Sequence, residues 1–217
     1  MERMSDNNGG ILLVLSGFSG AGKGTVISRL LDMYPGRYRL SVSATTRSPR
    51  EGEIDGVHYF FVDQGKFEEM ISEDLLLEYA TYIDHYYGTP REYVEKQLAE
   101  GYDVILEIEQ QGAFKVKKAM PEAALIFVSP PSAAELERRL RGRHTEPEDV
   151  IMSRLSRASE EAKHIDRYDY FVVNDDADRC AAVIHNLIEA ERCRVYNNRS
   201  AVAKLQEDLR VYRKEDR

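Results

Sequence analysis

"ILLVLSGFSGAGKGT", residues 11–25, sets the reading of the whole chain. Its opening run, "ILLVLS", is apolar without alternation, which is the pattern of a strand buried on both faces of a parallel sheet. The glycine-rich segment that follows leads into a stretch with Val26, Ile27, Leu30 and Leu31 at helical spacing, so a helix is expected over about 22–33. A strand, a glycine-rich loop and a helix in that order form a phosphate cradle. The glycines let backbone N–H groups turn inward, and the helix N-terminus adds partial positive charge.

Gly17-x-x-x-x-Gly22-Lys23 has the spacing of the phosphate-binding loop. Lys23 supplies a full charge near the β- and γ-phosphates of a nucleoside triphosphate, and Gly17, Phe18, Ser19, Gly20, Ala21, Gly22, Lys23, Gly24 and Thr25 form the expected triphosphate-binding set. The alternative is a plain glycine-rich turn; Lys23 in a strand–loop–helix context argues against it. Gly24 stands where a serine or threonine usually offers magnesium a hydroxyl. Thr25 is therefore expected on a phosphate oxygen, with Mg²⁺ held by water, nucleotide and a nearby carboxylate.

Outward from this segment, strands and helices alternate. "YDVILEI" (102–108), "ALIFV" (124–128) and "YDYFVV" (168–173) read as further core strands, and a helix is expected around 112–119. "RLSVS" and "VHYFFV" read as short strands flanking a loop over 44–56, "KFEEMISE" as a helix and "LLLEYATYI" as another strand. Thr89 followed by Pro90 reads as an N-cap opening a helix to about 100. Ser132 with Glu135, and Thr145 with Glu148, match capping boxes for two helices separated by "RGRHTE". Beyond 190, Val195, Val202, Leu205, Leu209 and Tyr212 fit one helical stripe, expected to pack on the body. The fold class is α/β, with a mainly parallel sheet and flanking helices. The closely spaced short strands of 40–90 form an inserted α+β lobe.

The chain has 217 residues, a net charge of −8, 42% hydrophobic and 31% charged residues. Those numbers suit one globular domain and speak against nucleic-acid or anionic-membrane partners. The longest apolar run is too short to span a bilayer, and no signal peptide is evident. Cys180 and Cys193 match no metal or redox spacing and read as reduced thiols of a cytoplasmic protein. The five histidines form no ligand cluster, so no zinc site is expected. Residues 1–9 are polar and expected to fray.

A second anion site is suggested by "SVSATTRSPREGEIDGVHYF", residues 41–60. Arg47 and Arg50, three apart in an irregular loop, can present two planar forks to one dianion, with Ser43 and tyrosine hydroxyls filling the remaining lone pairs. A solvated basic loop is the alternative reading.

This segment, with "LLEYATYIDHYYGTP", resembles the nucleoside-monophosphate lobe of guanylate kinases. The resemblance continues through "ILEIEQQGA", "RRLRGRHTE", "SRL" and "VVND" and covers about residues 10–190. It implies the phosphate-loop nucleoside-monophosphate kinase fold, with a core of about 10–40, 90–130 and 165–217, a GMP-binding lobe of about 41–89 and a helical lid of about 131–164. It implies that Ser43, Arg47, Arg50, Tyr59 and Tyr87 surround the phosphate of GMP, that Glu78, Thr89 and Glu109 face guanine, and that Asn174 joins the ATP site. Guanine's N1–H and N2 amine are adjacent donors that one carboxylate accepts together, whereas adenine meets it with a lone pair. Glu109 stands where the family usually has aspartate. Glu107 resembles the family's acid near Mg²⁺, with a simple surface acid as the alternative.

By the same resemblance, Arg139, Arg143 and Arg154 reach the transferring phosphates from a mobile lid that closes over ATP. Arg138, Arg141, Arg157 and Arg167 have no such match and are expected to be solvated; His144 replaces the family's usual glycine. The implied reaction is direct phosphoryl transfer from ATP to GMP, and to dGMP, with Mg²⁺, by a monomer or homodimer. Two other readings stay open: a guanylate-kinase-like module that binds phosphorylated peptides without catalysis, and a kinase of another small phosphorylated acceptor.

Overall fold

The computed structural model describes residues 9–82, 84–142 and 147–212. The apolar run becomes β1 (Leu12–Gly17), the middle strand of a five-stranded sheet. Its neighbours are β7 (Asp103–Glu107) and β8 (Ala124–Ser129); outside them lie β2 (Tyr38–Leu40) and β9 (Tyr170–Val173). Every pairing in this sheet is parallel, with Leu15 beside Glu107 and Ser16 beside Phe127. The lack of alternation in "ILLVLS" has a direct cause, because both faces are covered. Leu13, Leu15, Ile105 and Ile126 pack toward α1 (Lys23–Met33) and α7 (Ala177–Arg192). Leu12, Val14, Val104 and Leu125 pack toward α3 (Arg91–Ala99) and α4 (Gln110–Ala119).

The start of β7 is fastened by a buried acid. Asp103, with no exposed surface, accepts hydrogen bonds from Ile11 N–H (2.8 Å), Arg37 Nε (3.0 Å) and Arg192 Nη2 (2.6 Å). It ties β1, β7, the approach to β2 and the end of α7 together. Removing one member of such a cluster leaves the others uncompensated, so Asp103→Ala is expected to lower unfolding free energy by about 3 kcal/mol. Urea denaturation measures that loss.

The inserted lobe carries a second sheet in the order β4-β3-β6-β5. These strands are β3 (Ser43–Thr45), β4 (Tyr59–Phe61), β5 (Leu76–Tyr82) and β6 (His85–Pro90). β3 and β4 are parallel; β6 runs antiparallel to both β3 and β5. Phe67 of α2 (Gln64–Ser72) is fully buried against Ala44 and Leu76. The helix begins at Asp63, whose side chain accepts from Lys66 N–H at 2.8 Å.

Several local expectations are corrected. "RLSVS" is two strands in two sheets: β2 stays with the core and β3 belongs to the lobe, the chain crossing at Ser41 and Val42. Thr89 is not a helix cap. It lies in β6, a strand missing from the sequence reading, and Pro90 occupies the N-cap position of α3. Only half of the first capping box forms. Ser132 Oγ accepts from Glu135 N–H at the start of α5 (Ala133–Arg141), while the Glu135 carboxylate turns to Arg138 and Arg139. Thr145 and His144 lie outside the described residues; α6 (Glu148–Ala162) has Pro147 at its N-cap.

The tail does not pack as expected. In α8 (Arg199–Asp208) and the turn after it, Leu205, Leu209 and Tyr212 are exposed, Tyr212 by 79%. Cys180 is buried, which pushes its thiol up to about 11, and Cys193 is exposed and unpaired with it.

Candidate active site

The loop after β1 sits where the carboxyl ends of the core strands open. Gly17 has φ +152° and lies so close to β8 that a Cβ would fall 2.0 Å from the Val128 carbonyl oxygen, so no other residue fits. Lys23 opens α1 and folds its side chain back over the loop, donating from Nζ to the carbonyls of Gly17 (2.8 Å) and Phe18 (3.2 Å). Asn174, just past β9, donates from Nδ2 to the Ala21 carbonyl at 2.8 Å. Arg139 of α5 donates from Nη1 to the same carbonyl (3.2 Å) and from Nη2 to the carbonyl of Asn174 (2.8 Å). Arg154 of α6 donates from Nη1 to Ser19 Oγ at 2.8 Å. Lys23, Arg139, Arg154 and Asn174 therefore all meet the loop. Arg143 lies outside the described residues. A Cβ on Gly24 would meet nothing within 4 Å, so the hydroxyl missing there is not excluded by crowding.

In the lobe, antiparallel register sets Glu78 of β5 directly opposite Thr89 of β6. Residues paired in this way face the same side, and Thr89 Oγ1 donates to Glu78 Oε1 at 2.8 Å. Thr89 is fully buried and holds the carboxylate from behind. Burial raises the Glu78 pKa above the ordinary 4.5; the Thr89 bond and the charge of Lys115 work against that rise. Gly112 of α4 completes the fit. A Cβ there would stand 2.8 Å from Glu78 Oε2, inside any tolerable contact.

Arg47 is held beside the tyrosines of this lobe. Its guanidinium lies 5.3 Å from the centre of the Tyr59 ring and donates two parallel bonds to Glu53, at 2.8 and 2.9 Å. Glu53 also accepts from Arg50 N–H at 2.7 Å, and the Arg47 fork holds its pKa down to about 2. Glu53 thus shapes the arginine loop with its own carboxylate. Arg50 is exposed, while Ser43, Tyr59 and Tyr87 are half-buried.

Two cavities converge on the end of β7. One, of about 550 Å³, has Ser43, Tyr59, Glu78, Tyr87 and Gly112 in its walls. The other, of about 630 Å³, has Gly17, Ser19, Lys23 and Arg154 in its walls. Both are bounded by Tyr59, Tyr82, Glu107, Ile108 and Glu109, so Ser43, Glu78 and Tyr87 of the expected monophosphate set and Gly17, Ser19, Lys23 and Arg154 of the expected triphosphate set open onto one shared boundary; Arg47 and Arg50 line neither cavity. Glu107, the last residue of β7, stands on it with an exposed side chain. Glu109 borders both cavities, but its carboxylate lies 2.6 Å from Arg157 Nη2.

Four contributors were not identified as site residues from sequence: Glu53, which holds Arg47; Gly112, which makes room for Glu78; Tyr82, on the shared boundary; and Arg157. Arg157 is exposed, as expected, but it is also paired, bonding Glu109 and Glu161. Arg167 lies over the Phe114 ring at 3.6 Å. Arg138 and Arg141 are exposed, each paired with glutamates of α5 or α6.

Comparison with known proteins agrees with this geometry. The family model described as guanylate kinase matches residues 10–191. A guanylate kinase of Caldanaerobacter subterraneus subsp. tengcongensis is 49% identical over 205 residues, 94% of this chain and 99% of that protein. One from Bacillus anthracis is 52% identical over 200 residues, 92% of this chain and 96% of its own length. The crystal structure of guanylate kinase from Anaplasma phagocytophilum superposes with a TM-score of 0.70 at 34% identity, covering 93% of this chain and 94% of that one. With a matching model over most of its length and relatives at about half identity, the chain belongs to the guanylate kinase family.

Proposed function

We infer that this protein transfers the γ-phosphoryl group of ATP to GMP, releasing ADP and GDP. One observation carries the reading. The cavity walled by Glu78 and the arginine-loop tyrosines opens, across Glu107 and Tyr59, onto the cavity walled by the Lys23 loop. GMP occupies the first, its base against Glu78 and its phosphate toward Tyr59, Tyr87, Ser43 and the Arg47–Arg50 loop. The triphosphate lies along residues 17–25, with Asn174 bracing that loop.

The acceptor phosphate is largely dianionic at neutral pH, its second pKa being near 6, so a non-bridging oxygen attacks without a general base. The bond from the γ-phosphorus to the β–γ bridging oxygen breaks, and ADP leaves with the electron pair. Lys23, Arg139, Arg154 and Arg143 neutralise charge as it spreads over the transferring group. Residues of about 131–164 act as the lid and keep water from the triphosphate.

The donor set fits a magnesium ion that keeps most of its water: one exposed carboxylate, Glu107, stands on the shared boundary, and Thr25 in the first turn of α1 is left for a phosphate oxygen. Among the described residues no group of three or more His, Cys, Asp or Glu side chains forms a protein cage. When bound, Mg²⁺ offsets charge on the β- and γ-phosphates. We place the reaction in the cytoplasm; among the described residues no helix is long and apolar enough to cross a membrane.

The test follows ADP release from Mg-ATP with GMP, dGMP, AMP, UMP and CMP offered separately. Turnover with the guanine nucleotides alone is expected. Equal turnover with AMP, or none with any, would overturn the assignment. Gly112→Ala probes the acceptor wall. Glu78 is locked by Thr89 and cannot retreat from the new methyl without leaving its position, so kcat/KM for GMP is expected to fall about 10²-fold. ATP affinity should stay within about twofold, because Gly112 borders the acceptor cavity alone.

A further inference from the structure

Two arginines three residues apart on α6 reach different sites. Residues at that spacing share a helix face. Arg154 bonds Ser19 of the triphosphate loop. Arg157 bonds Glu109 (2.6 Å) and Glu161 (3.0 Å). Glu109 is the residue before α4 and forms part of the acceptor wall with Glu78 and Gly112. Its neighbour Gln110 donates from Nε2 to the Glu161 carbonyl at 3.0 Å, so the same corner of that wall touches α6 twice. Glu78 is already oriented by Thr89 and needs no second acid to fix it. Length matters at position 109: an aspartate would withdraw the carboxylate by about 1.5 Å, beyond hydrogen-bond reach of Arg157.

We propose that Arg157 is a positioning residue for phosphoryl transfer. With Glu109 it straps the guanine-side wall to lid helix α6, so that filling the acceptor cavity is transmitted to Arg154 at the donor phosphates. Glu109 in this chain serves the lid and leaves base reading to Glu78. The proposal rests on the GMP-kinase reading above. The pair is exposed, by 53% at Arg157 and 67% at Glu109. Exposed ion pairs are weak, so the strap accounts for a factor of about three to five in substrate coupling rather than for catalysis itself.

The experiment measures the dissociation constant of a non-hydrolysable ATP analogue on the full chain, with and without saturating GMP. The ratio is the coupling factor. Arg157→Gln and Glu109→Gln should each reduce it about three- to fivefold, and the double variant no further than either alone. Glu109→Asp should behave like Glu109→Gln, and Arg157→Lys should recover part of the loss. Discrimination between GMP and AMP should remain native in Glu109→Gln, and thermal melting should show all variants folded. A native coupling factor of one, a factor unmoved by both substitutions, or additive losses in the double variant would overturn the strap. So would lost GMP-over-AMP discrimination in Glu109→Gln, which would return Glu109 to base reading. If the native chain turns over GMP normally while coupling fails these tests, only the strap falls; absence of GMP turnover in the native chain removes the underlying reading instead.

Discussion

Lys23→Ala is expected to lower kcat about 10³-fold while leaving the dissociation constant of GMP within about twofold of native. The Lys23 ammonium lies over the loop after β1, 2.8 Å from the Gly17 carbonyl, and borders the cavity proposed for the donor. It forms no part of the acceptor wall. On the proposed reading, the charge that develops on the transferring group loses one full positive partner, whereas the GMP phosphate keeps its arginines and tyrosines. The alanine also removes two hydrogen bonds to loop carbonyls, which can reach solvent instead, so the fold should survive. Isothermal titration with GMP beside a steady-state assay separates the two effects. Normal turnover with lost GMP binding would contradict the assignment of Lys23 to the donor phosphates.

Glu78→Gln should abolish most base selectivity, reducing the preference for GMP over AMP by up to about 10⁴-fold. A carboxylate accepts from guanine N1–H and N2–H together; a carboxamide of the same shape offers one acceptor and one donor. The low exposure of Glu78 magnifies the mismatch, since unmet donors in the pocket cannot turn to water. Stability should move the other way. Burial raises the native pKa of Glu78. Its protonated form thus favours folding below the unfolded value near 4.5, and that contribution is lost as pH rises through the raised native pKa. At neutral pH the ionised carboxylate is a burden on the ligand-free fold, and the neutral glutamine should leave Tm equal or higher. Unchanged discrimination against AMP would remove Glu78 as the base reader.

The core was legible because its signals are local and redundant. An unbroken apolar strand, a glycine-rich loop and an amphipathic helix require the same parallel-sheet context that the structure displays. Strand β6 was not legible, because "TP" carries a sound capping signal that tertiary pairing with β5 overrides. Gly88 belongs to the same hairpin: a Cβ there would lie 2.9 Å from the Glu78 carbonyl, so strand pairing rather than turn chemistry accounts for it. "RLSVS" shows the limit of periodicity, which cannot register that a chain changes sheets across the two residues Ser41 and Val42. The missed site residues share one cause, since each acts through a partner fixed only by folding. Gly112 shows its importance only beside Glu78, and Arg157 only beside Glu109. Glu53 is close in sequence to Arg47, yet its charge alone does not reveal a bidentate clasp. The apolar spacing of the tail marks a helical face, but spacing does not say what that face meets, and all of it but the half-buried Val202 is exposed.

Phosphoryl transfer requires that the two cavities hold their phosphates against each other across Glu107. The decisive experiment is a crystal structure with GMP and a non-hydrolysable ATP analogue bound together. A GMP phosphate oxygen should then lie about 3–3.5 Å from the γ-phosphorus and in line with the bond to be broken, with Glu78 on guanine and Lys23 on the triphosphate. Ligands seated in pockets that face apart, or phosphates that stay too far apart to react once α6 has closed, would refute that arrangement.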